Sequence, residues 1–141
     1  MNYLVYLDSR AGELEKILSG VKTMLVKEFD PTQATTYRID PGDSLFFLRD
    51  KDDCALRVKA TVVRVLPVTN DLGEDPAQIL KEMQPRLQLT EDQYIFWAAK
   101  KQLLLVEFES AKKIGVVQVA PGKVTDRLGW IAFDAFHLIT E

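Results

Sequence analysis

Apolar residues recur along the chain with two different periods, and the period predicts the type of each element. Leu14 and Ile17 follow the spacing of a helix, whereas Val58, Ala60 and Val62 alternate with polar residues as in a half-buried strand. The predicted elements are, in chain order, a strand over 2–7, a helix over 11–19, a strand over 21–28, strands over 43–49 and 54–68, helices over 76–84 and 91–101, and strands over 102–109, 114–119 and 130–139. Because strands and helices do not alternate regularly, the order predicts an α+β fold built on a small, mixed or mostly antiparallel β-barrel with flanking helices.

Capping and stop signals predict the helix boundaries. Asp8 or the serine after it is expected to cap the first helix, and Gly20 is expected to end it in the left-handed conformation. Asp75 precedes a proline at the first helical position, and Pro85 is expected to end that helix. Thr90 is followed three residues later by glutamine, which predicts a capping box at the start of the third helix.

The middle of the chain carries the signals of a hairpin with a bent second strand. A long loop over 29–42 contains two Asp-Pro steps, which favour turns. The strands over 43–49 and 54–68 flank the polar residues 50–53, which is a hairpin pattern. The apolar alternation changes parity after Val62, and this predicts a bulge or a strong bend near that residue.

Composition and charge limit the classes of function. The chain has 141 residues, 47% of them apolar and 28% charged, so we expect one domain over residues 1–141. Apolar runs such as Leu103 to Val106 are far too short to span a membrane, and the first residues lack a basic lead, so we expect a cytoplasmic protein. The single cysteine, Cys54, and the single histidine, His137, provide neither a disulfide nor a metal cage, and we expect no metal and no cofactor. A net charge of −3 means that nucleic-acid binding would need a local basic patch.

The region from the first helix into the next strand contains Gly20-Val21-Lys22, and a turn further along contains Gly42-Asp43. In these residues the sequence resembles the ASCH family of the PUA-like superfamily. Gly20 and Lys22 match the first two positions of that family's GxKxxExR signature, and Gly42-Asp43 matches the turn that follows in the family. Leu25 and Lys27 stand where the family has Glu and Arg. The resemblance extends over about residues 11–68. It implies a mixed barrel with a cleft beside the first helix, in a superfamily that mostly binds RNA.

Lys22 and Lys27 are the first candidate binding residues. Lys22 lies two residues after Gly20, where the helix is expected to end, and a side chain at such a place can reach a cleft. On an ideal strand, residues five apart face opposite sides, so we expect only one of the two lysines to line a shared groove. The simpler alternative is that Lys22 is an ordinary solvated lysine.

Further cations and one aromatic residue complete the candidate nucleic-acid site. Arg57 and Lys59 form a cationic row on one face of a strand, with Arg64 as a third member, and such a row can attract a phosphate backbone. Trp97 lies near Lys100 at a helix end, where an exposed indole could stack on a base. The simpler alternatives are a polar outer strand face and a tryptophan that belongs to the core.

Three functions remain open at this point. The first is a module without catalysis that binds RNA or a nucleotide in a cleft between the first helix and the barrel, with Lys22 on a phosphate or a base edge. The second follows from the resemblance: some small ASCH proteins hydrolyse acylated cytidine with the GxK lysine, a threonine three residues later and a glutamate. Here Leu25 occupies the threonine position, and Thr23 would have to substitute for it. The third is a protein-interaction domain with an exposed apolar patch around residues 94–97.

Overall fold

The computed structural model describes residues 2–28, 39–49, 55–69, 73–118 and 130–133 of the chain. The elements in chain order are β1 (Asn2–Tyr6), α1 (Glu13–Leu18), β2 (Met24–Glu28), β3 (Ser44–Leu48), β4 (Ala55–Thr69), α2 (Pro76–Leu87), α3 (Glu91–Ala98), β5 (Gln102–Gln118) and β6 (Trp130–Phe133). The predicted α+β class is confirmed. The connection over 50–53, Cys54, His137 and most of the predicted loop over 29–42 lie outside the described residues.

The strands form one mixed sheet in the order β2-β5-β4-β3-β1-β6. β1 pairs with β3 in parallel, and the other neighbouring pairs are antiparallel. The predicted hairpin of β3 and β4 is confirmed by this pairing. β2 and β6 are the end strands, and no pairing within the described residues joins them. The described strands therefore form an open sheet rather than the closed barrel that the sequence predicted.

The two longest strands, β4 and β5, pair with each other over almost their whole length. Their register shifts at three points, one of them between Val62 and Arg64, which confirms the bulge predicted from the change of parity. The prediction of two separate strands over 102–109 and 114–119 was wrong. Lys112 and Lys113 do not interrupt β5, because their backbones continue the pairing opposite Lys59 and Val58 of β4.

The bent sheet has a core on each face. The inner core contains apolar side chains from five strands and from α1, among them Tyr3, Leu14, Ile17, Phe47, Val62 and Val106. A second cluster, which we call the helical-layer core, lies between the outer face of β2, β4 and β5 and the helices α2 and α3, and includes Met24, Leu80, Leu87, Leu103 and Leu105. A small outer cluster of Leu4, Phe46 and Leu48 covers the other end of the sheet. α1 and α3 thus belong to different layers.

The helix starts were predicted better than the helix ends. The Asp75 side chain accepts a hydrogen bond from the backbone of Ala77 at 3.1 Å, as predicted for the start of α2. The predicted end at Pro85 was wrong, since α2 continues to Leu87 and ends at Gln88 with φ of 52°. A proline costs a helix the hydrogen bond to the carbonyl four residues earlier. For Pro85 this is the carbonyl of Lys81. Both residues are exposed, so water can solvate the carbonyl.

α1 begins later than predicted, and α3 ends earlier. Gly12, with φ of 65°, is the N-cap of α1, whereas the Asp8 side chain accepts from the backbone N–H of Arg10 at 3.0 Å. Gly20 has φ of 83° behind α1, as predicted. The capping box at Thr90 is confirmed in both directions, yet α3 ends at Ala98 rather than at residue 101.

Burial of Tyr3 in the inner core makes the free energy of unfolding depend on pH in the alkaline range. Burial, with the carboxylates of Asp43 and Asp40, raises the pKa of Tyr3 from 10.0 to about 12. The folded state therefore keeps the phenol proton between pH 10 and 12 while the unfolded chain loses it, so stability falls as pH rises. We expect roughly 3 kcal/mol to be lost over this window. Urea unfolding of the native chain and of Tyr3→Phe at several alkaline pH values should show this loss only in the native chain. An unfolding free energy that falls equally with pH in both chains would contradict the prediction.

Candidate functional site

A cavity of about 410 Å³ lies where the end of β1, α1, β2 and α3 meet. Its polar wall consists of Asp8, Glu13, Lys22, Lys27, Asp92 and Gln93. Its apolar wall consists of Val5, Leu7, Leu25, Val26 and Leu89, and its aromatic wall of Tyr6, Phe96 and Trp97. The volume lies within the range of about 300–1,000 Å³ that is typical of ligand pockets. We call this space the α1–α3 cavity.

Lys22 is part of the cavity wall and is only 1% exposed. Its Nζ donates a hydrogen bond to the carbonyl oxygen of Leu87, at the end of α2, and lies 3.3 Å from Oε2 of Glu13. Burial lowers the pKa of Lys22, and the carboxylate of Glu13 opposes this shift. The alternative of a solvated surface lysine was wrong, because this ammonium is buried and paired.

The corner between α1 and β2 is held against the end of α2. Lys16 Nζ donates to the carbonyl of Gln88 at 3.1 Å, next to the carbonyl that Lys22 holds. The backbone N–H of Thr23 donates to the carbonyl of Arg86 at 2.9 Å. The last carbonyls of a helix have no partner within the helix, and these three donors supply partners from outside it. Glu13 is fixed in turn, because its Oε1 accepts from the backbone N–H of Asp8 at 2.8 Å.

Lys27 lines the same cavity as Lys22 and is 5% exposed. The expectation that only one of the two lysines lines a shared groove was therefore wrong. It assumed that both lie on one strand, but β2 begins at Met24, so Lys22 precedes the strand and its direction does not follow the strand alternation.

Trp97 and Phe96 lie side by side at the α3 end of the cavity. Trp97 is half-buried, packs against the helical-layer core and also lines the cavity, so it belongs to the core without being enclosed by it. Phe96 also lines the cavity, is 55% exposed, and meets Trp97 edge to face with ring centroids 4.9 Å apart. Phe96 was included only in the apolar patch over 94–97 and was not assigned to the nucleic-acid site, although an aromatic residue directly beside Trp97 was a usable signal.

Lys100 lies at the edge of the cavity rather than in its wall. Its Nζ is 4.7 Å from the centroid of the Phe96 ring and 3.8 Å from Oε2 of Glu28. A cation at this distance from a ring face is attracted by the ring quadrupole. The structure thus brings Lys22, Lys27 and Trp97 together in one wall and puts Lys100 just outside it.

Of the predicted cationic row on β4, Lys59 and Arg64 are not among the described residues that line the cavity. Lys59 Nζ lies 5.7 Å from the ring centroid of Phe46, which belongs to the outer cluster, and Lys59 is not in the described cavity wall. Arg57 lies on β4, but its side chain is outside the described part of the chain. Arg64 shares Glu107 with Arg86, at 3.4 Å and 3.2 Å respectively.

Carboxylates outnumber lysines in the described wall of the cavity. Glu13, Asp8 and Asp92 face two lysines, so the described lining residues do not form the local basic patch that nucleic-acid binding was expected to need. Sequence reasoning missed these acidic groups because they come from three separate segments. The wall can therefore both donate and accept hydrogen bonds, which suits a polar ring better than a phosphate.

Two other chemistries find little support in the described residues. The described wall contains Leu25 but no Ser, Thr or Cys, and Thr23 is not part of it, so the arrangement does not favour a hydroxyl nucleophile at the family's threonine position. No group of three or more His, Cys, Asp or Glu side chains that could hold a metal ion occurs in the parts of the chain that the structure covers. Among the helices of those parts, none is long and apolar enough to cross a membrane.

Solved structures with a similar fold are ASCH proteins. The ASCH protein from Zymomonas mobilis, in its unmodified form, has a TM-score of 0.62 to this chain at 12% sequence identity, covering 83% of this chain and 73% of its own. Two single-substitution variants of that protein give TM-scores of 0.63 and 0.62 at the same identity and cover 73% and 75% of their chains. No protein-family profile and no curated protein sequence matches the chain. The chain therefore has an ASCH-like fold, as the resemblance around Gly20 and Lys22 implied.

Proposed function

We propose that this protein is a binding module for RNA or a nucleotide and that the α1–α3 cavity holds one base. The observation that supports the proposal most directly is the combination of a half-buried indole, Trp97, with two buried lysines and three carboxylates around one cavity of about 410 Å³. An aromatic side chain offers a stacking surface to any base. The ASCH-like fold adds support by analogy only, since one fold can carry several functions.

In this proposal the wall recognises the polar edge of the base. An ammonium group has three N–H donors, and Lys22 uses two of them on Leu87 and Glu13, which leaves one for a ligand. Carboxylate oxygens such as those of Asp92 can accept from an exocyclic amine of the base. A phosphate inside the cavity would face three carboxylates, so we place the phosphate outside, near Lys100.

The other predicted cations receive different roles. Lys27 belongs to the proposed base site because it lines the cavity. Arg57 and Lys59 contribute only a long-range attraction for the RNA backbone, since Lys59 lies over Phe46 and not in the described wall. That attraction should be screened by salt, whereas stacking in the cavity should be much less sensitive to it.

Replacing Trp97 tests the proposal. Fluorescence anisotropy with a labelled single-stranded RNA hexamer, and calorimetry with each of the four nucleoside monophosphates, should detect binding at low salt. Loss of one base–aromatic stack is worth about 1–3 kcal/mol, so Trp97→Ala should weaken the affinity roughly 5- to 150-fold. Trp97→Phe keeps an aromatic surface and should retain most of the affinity of the native chain.

The matched control is Met83→Ala. Met83 packs against the same helical-layer core as Trp97 but is not in the described cavity wall, so it reports on loosening of the helices alone. We expect Met83→Ala to bind as the native chain does. Absence of binding by the native chain to every probe, or equal losses in Met83→Ala and Trp97→Ala, would contradict the proposal.

A further inference from the structure

We infer that Phe96 and Lys100 form a second base position at the edge of the α1–α3 cavity, so that the ligand is a single-stranded segment of at least two adjacent nucleotides. This inference rests on the proposed function, because it adds a second base to the one held in the cavity. It assigns a role to Phe96, which the base site itself does not need.

Phe96 is placed where a second base would lie. Its side chain is 55% exposed and yet belongs to the cavity wall, so the ring is open both to solvent and to the cavity. It touches Trp97 directly, with ring centroids 4.9 Å apart. A base on Trp97 and a base on Phe96 would therefore lie within the reach of one sugar-phosphate link.

The angle between the two rings selects single strands. The planes of Phe96 and Trp97 make an angle of 85°. Bases in an A-form helix are parallel and stacked, and their edges are occupied by pairing. Two bases that each stack on one of these rings would be nearly perpendicular to each other, so they cannot stay stacked or paired in a duplex. Splayed bases of this kind are typical of single-stranded RNA bound by proteins.

Lys100 supplies the charge that such a segment requires. Its Nζ lies 4.7 Å from the centre of the Phe96 ring, outside the described wall of the cavity, where the phosphate that links two nucleotides would pass. Glu28, at 3.8 Å, neutralises part of this charge in the free protein. A single phosphate contact of this type should release about one counterion, so it should make the fall of the affinity with salt concentration steeper.

A protein partner is the other occupant that an exposed apolar surface can have, and Ile95 distinguishes the two. Ile95 precedes Phe96 on α3 and is 60% exposed, but it is not in the described cavity wall. An apolar docking surface for a protein would use both side chains. A base would use only the aromatic ring beside the cation and the cavity, and this is the occupant that we propose.

Comparison of mononucleotides with dinucleotides tests the inference. The probes are the four nucleoside monophosphates and the dinucleoside monophosphates ApA, CpC, GpG and UpU, measured by calorimetry with the whole chain. For the base that the cavity prefers, we expect the dinucleotide to bind roughly 5- to 150-fold more tightly than the mononucleotide. Phe96→Ala should remove most of this advantage, and Phe96→Tyr should keep it. The control Ile95→Ala should retain the full advantage.

The outcomes separate this inference from the proposed function. If mononucleotides and dinucleotides bind the native chain equally while Trp97→Ala still loses affinity, the inference is overturned and the base site stands. If neither probe binds the native chain, both are overturned. If Ile95→Ala loses as much dinucleotide affinity as Phe96→Ala, or if Phe96→Ala keeps the dinucleotide advantage, base stacking on Phe96 is rejected. A duplex RNA that binds as tightly as the single strand would also reject it.

Discussion

Lys22→Met is expected to lower the free energy of unfolding by about 3–5 kcal/mol, because it leaves a buried carboxylate without its counter-charge. In the native chain Lys22 Nζ lies 3.3 Å from Oε2 of Glu13 and also holds the carbonyl of Leu87. Methionine has a similar length but provides neither charge nor hydrogen bond. Urea denaturation followed by circular dichroism measures the loss.

The double variant shows how much of this loss belongs to the pair. Glu13→Gln removes the other charge, so Lys22→Met combined with Glu13→Gln should cost less than the sum of the two single changes. Lys16→Met is the matched control, because Lys16 Nζ makes a hydrogen bond to the neighbouring carbonyl of Gln88 and is only half-buried. We expect Lys16→Met to lower the free energy of unfolding by about 1 kcal/mol. A loss for Lys22→Met that is no larger than the loss for Lys16→Met would show that the buried pair does not hold α1 against α2.

The structure places Lys22 in the wall of the α1–α3 cavity, but local patterns did not predict how its side chain is held. Gly20 and Lys22 stand in the positions that the resemblance implied, and Gly20 does end the turn after α1. The partners of the amine, Glu13 and the carbonyl of Leu87, come from nine residues before it and from 65 residues after it. Contacts over such distances depend on how α2 packs on the sheet, which no local period contains. A lysine is mostly exposed by default, and burial here follows from tertiary partners alone.

Element types followed from the sequence more reliably than element ends. The caps at Asp75 and Thr90 are local hydrogen bonds, and both were predicted. Pro85 predicts the end of α2, and the pair Lys112-Lys113 separates the strands predicted over 102–109 and 114–119, but tertiary context overrides both signals. The proline lies on the exposed side of α2, and the lysines continue the ladder with β4. Signals that depend on one or two residues therefore predicted the helix starts at Asp75 and Thr90 but not the start of α1, and they were weak for interruptions.

Only part of the cavity wall was named from the sequence. Lys22 and Lys27 were named from the signature region, and Trp97 was named from its position near Lys100. The carboxylates and Phe96 were missed, because the sequence gives no register between α1, β2 and α3. The docking of α3 depends on side chains of the helical-layer core such as Leu89, which is far from β1 and α1 in sequence. The charge of the cavity could not be predicted without knowing which segments meet there.

Phe47→Ala is expected to cost about 3–5 kcal/mol of unfolding free energy, because it leaves a void in the middle of the inner core. Phe47 is fully buried on β3, between Val5 of β1 and Val58 of β4, and its ring centroid lies 5.5 Å from that of Phe108. Thermal and urea unfolding measure the loss. Phe47→Leu removes less volume and should cost less, and equal stability of Phe47→Ala and the native chain would contradict the inner core described here.

The same variant separates the core from the cavity. Phe47 is not among the described residues that line the α1–α3 cavity, so at temperatures where Phe47→Leu is still folded its nucleotide affinity should equal that of the native chain. Trp97→Ala should show the reverse, with a large loss of affinity and a smaller loss of stability, because Trp97 is only half-buried. If Phe47→Leu and Trp97→Ala each lost stability and affinity in parallel, binding would report only on folding. That result would contradict the assignment of the α1–α3 cavity as the binding site.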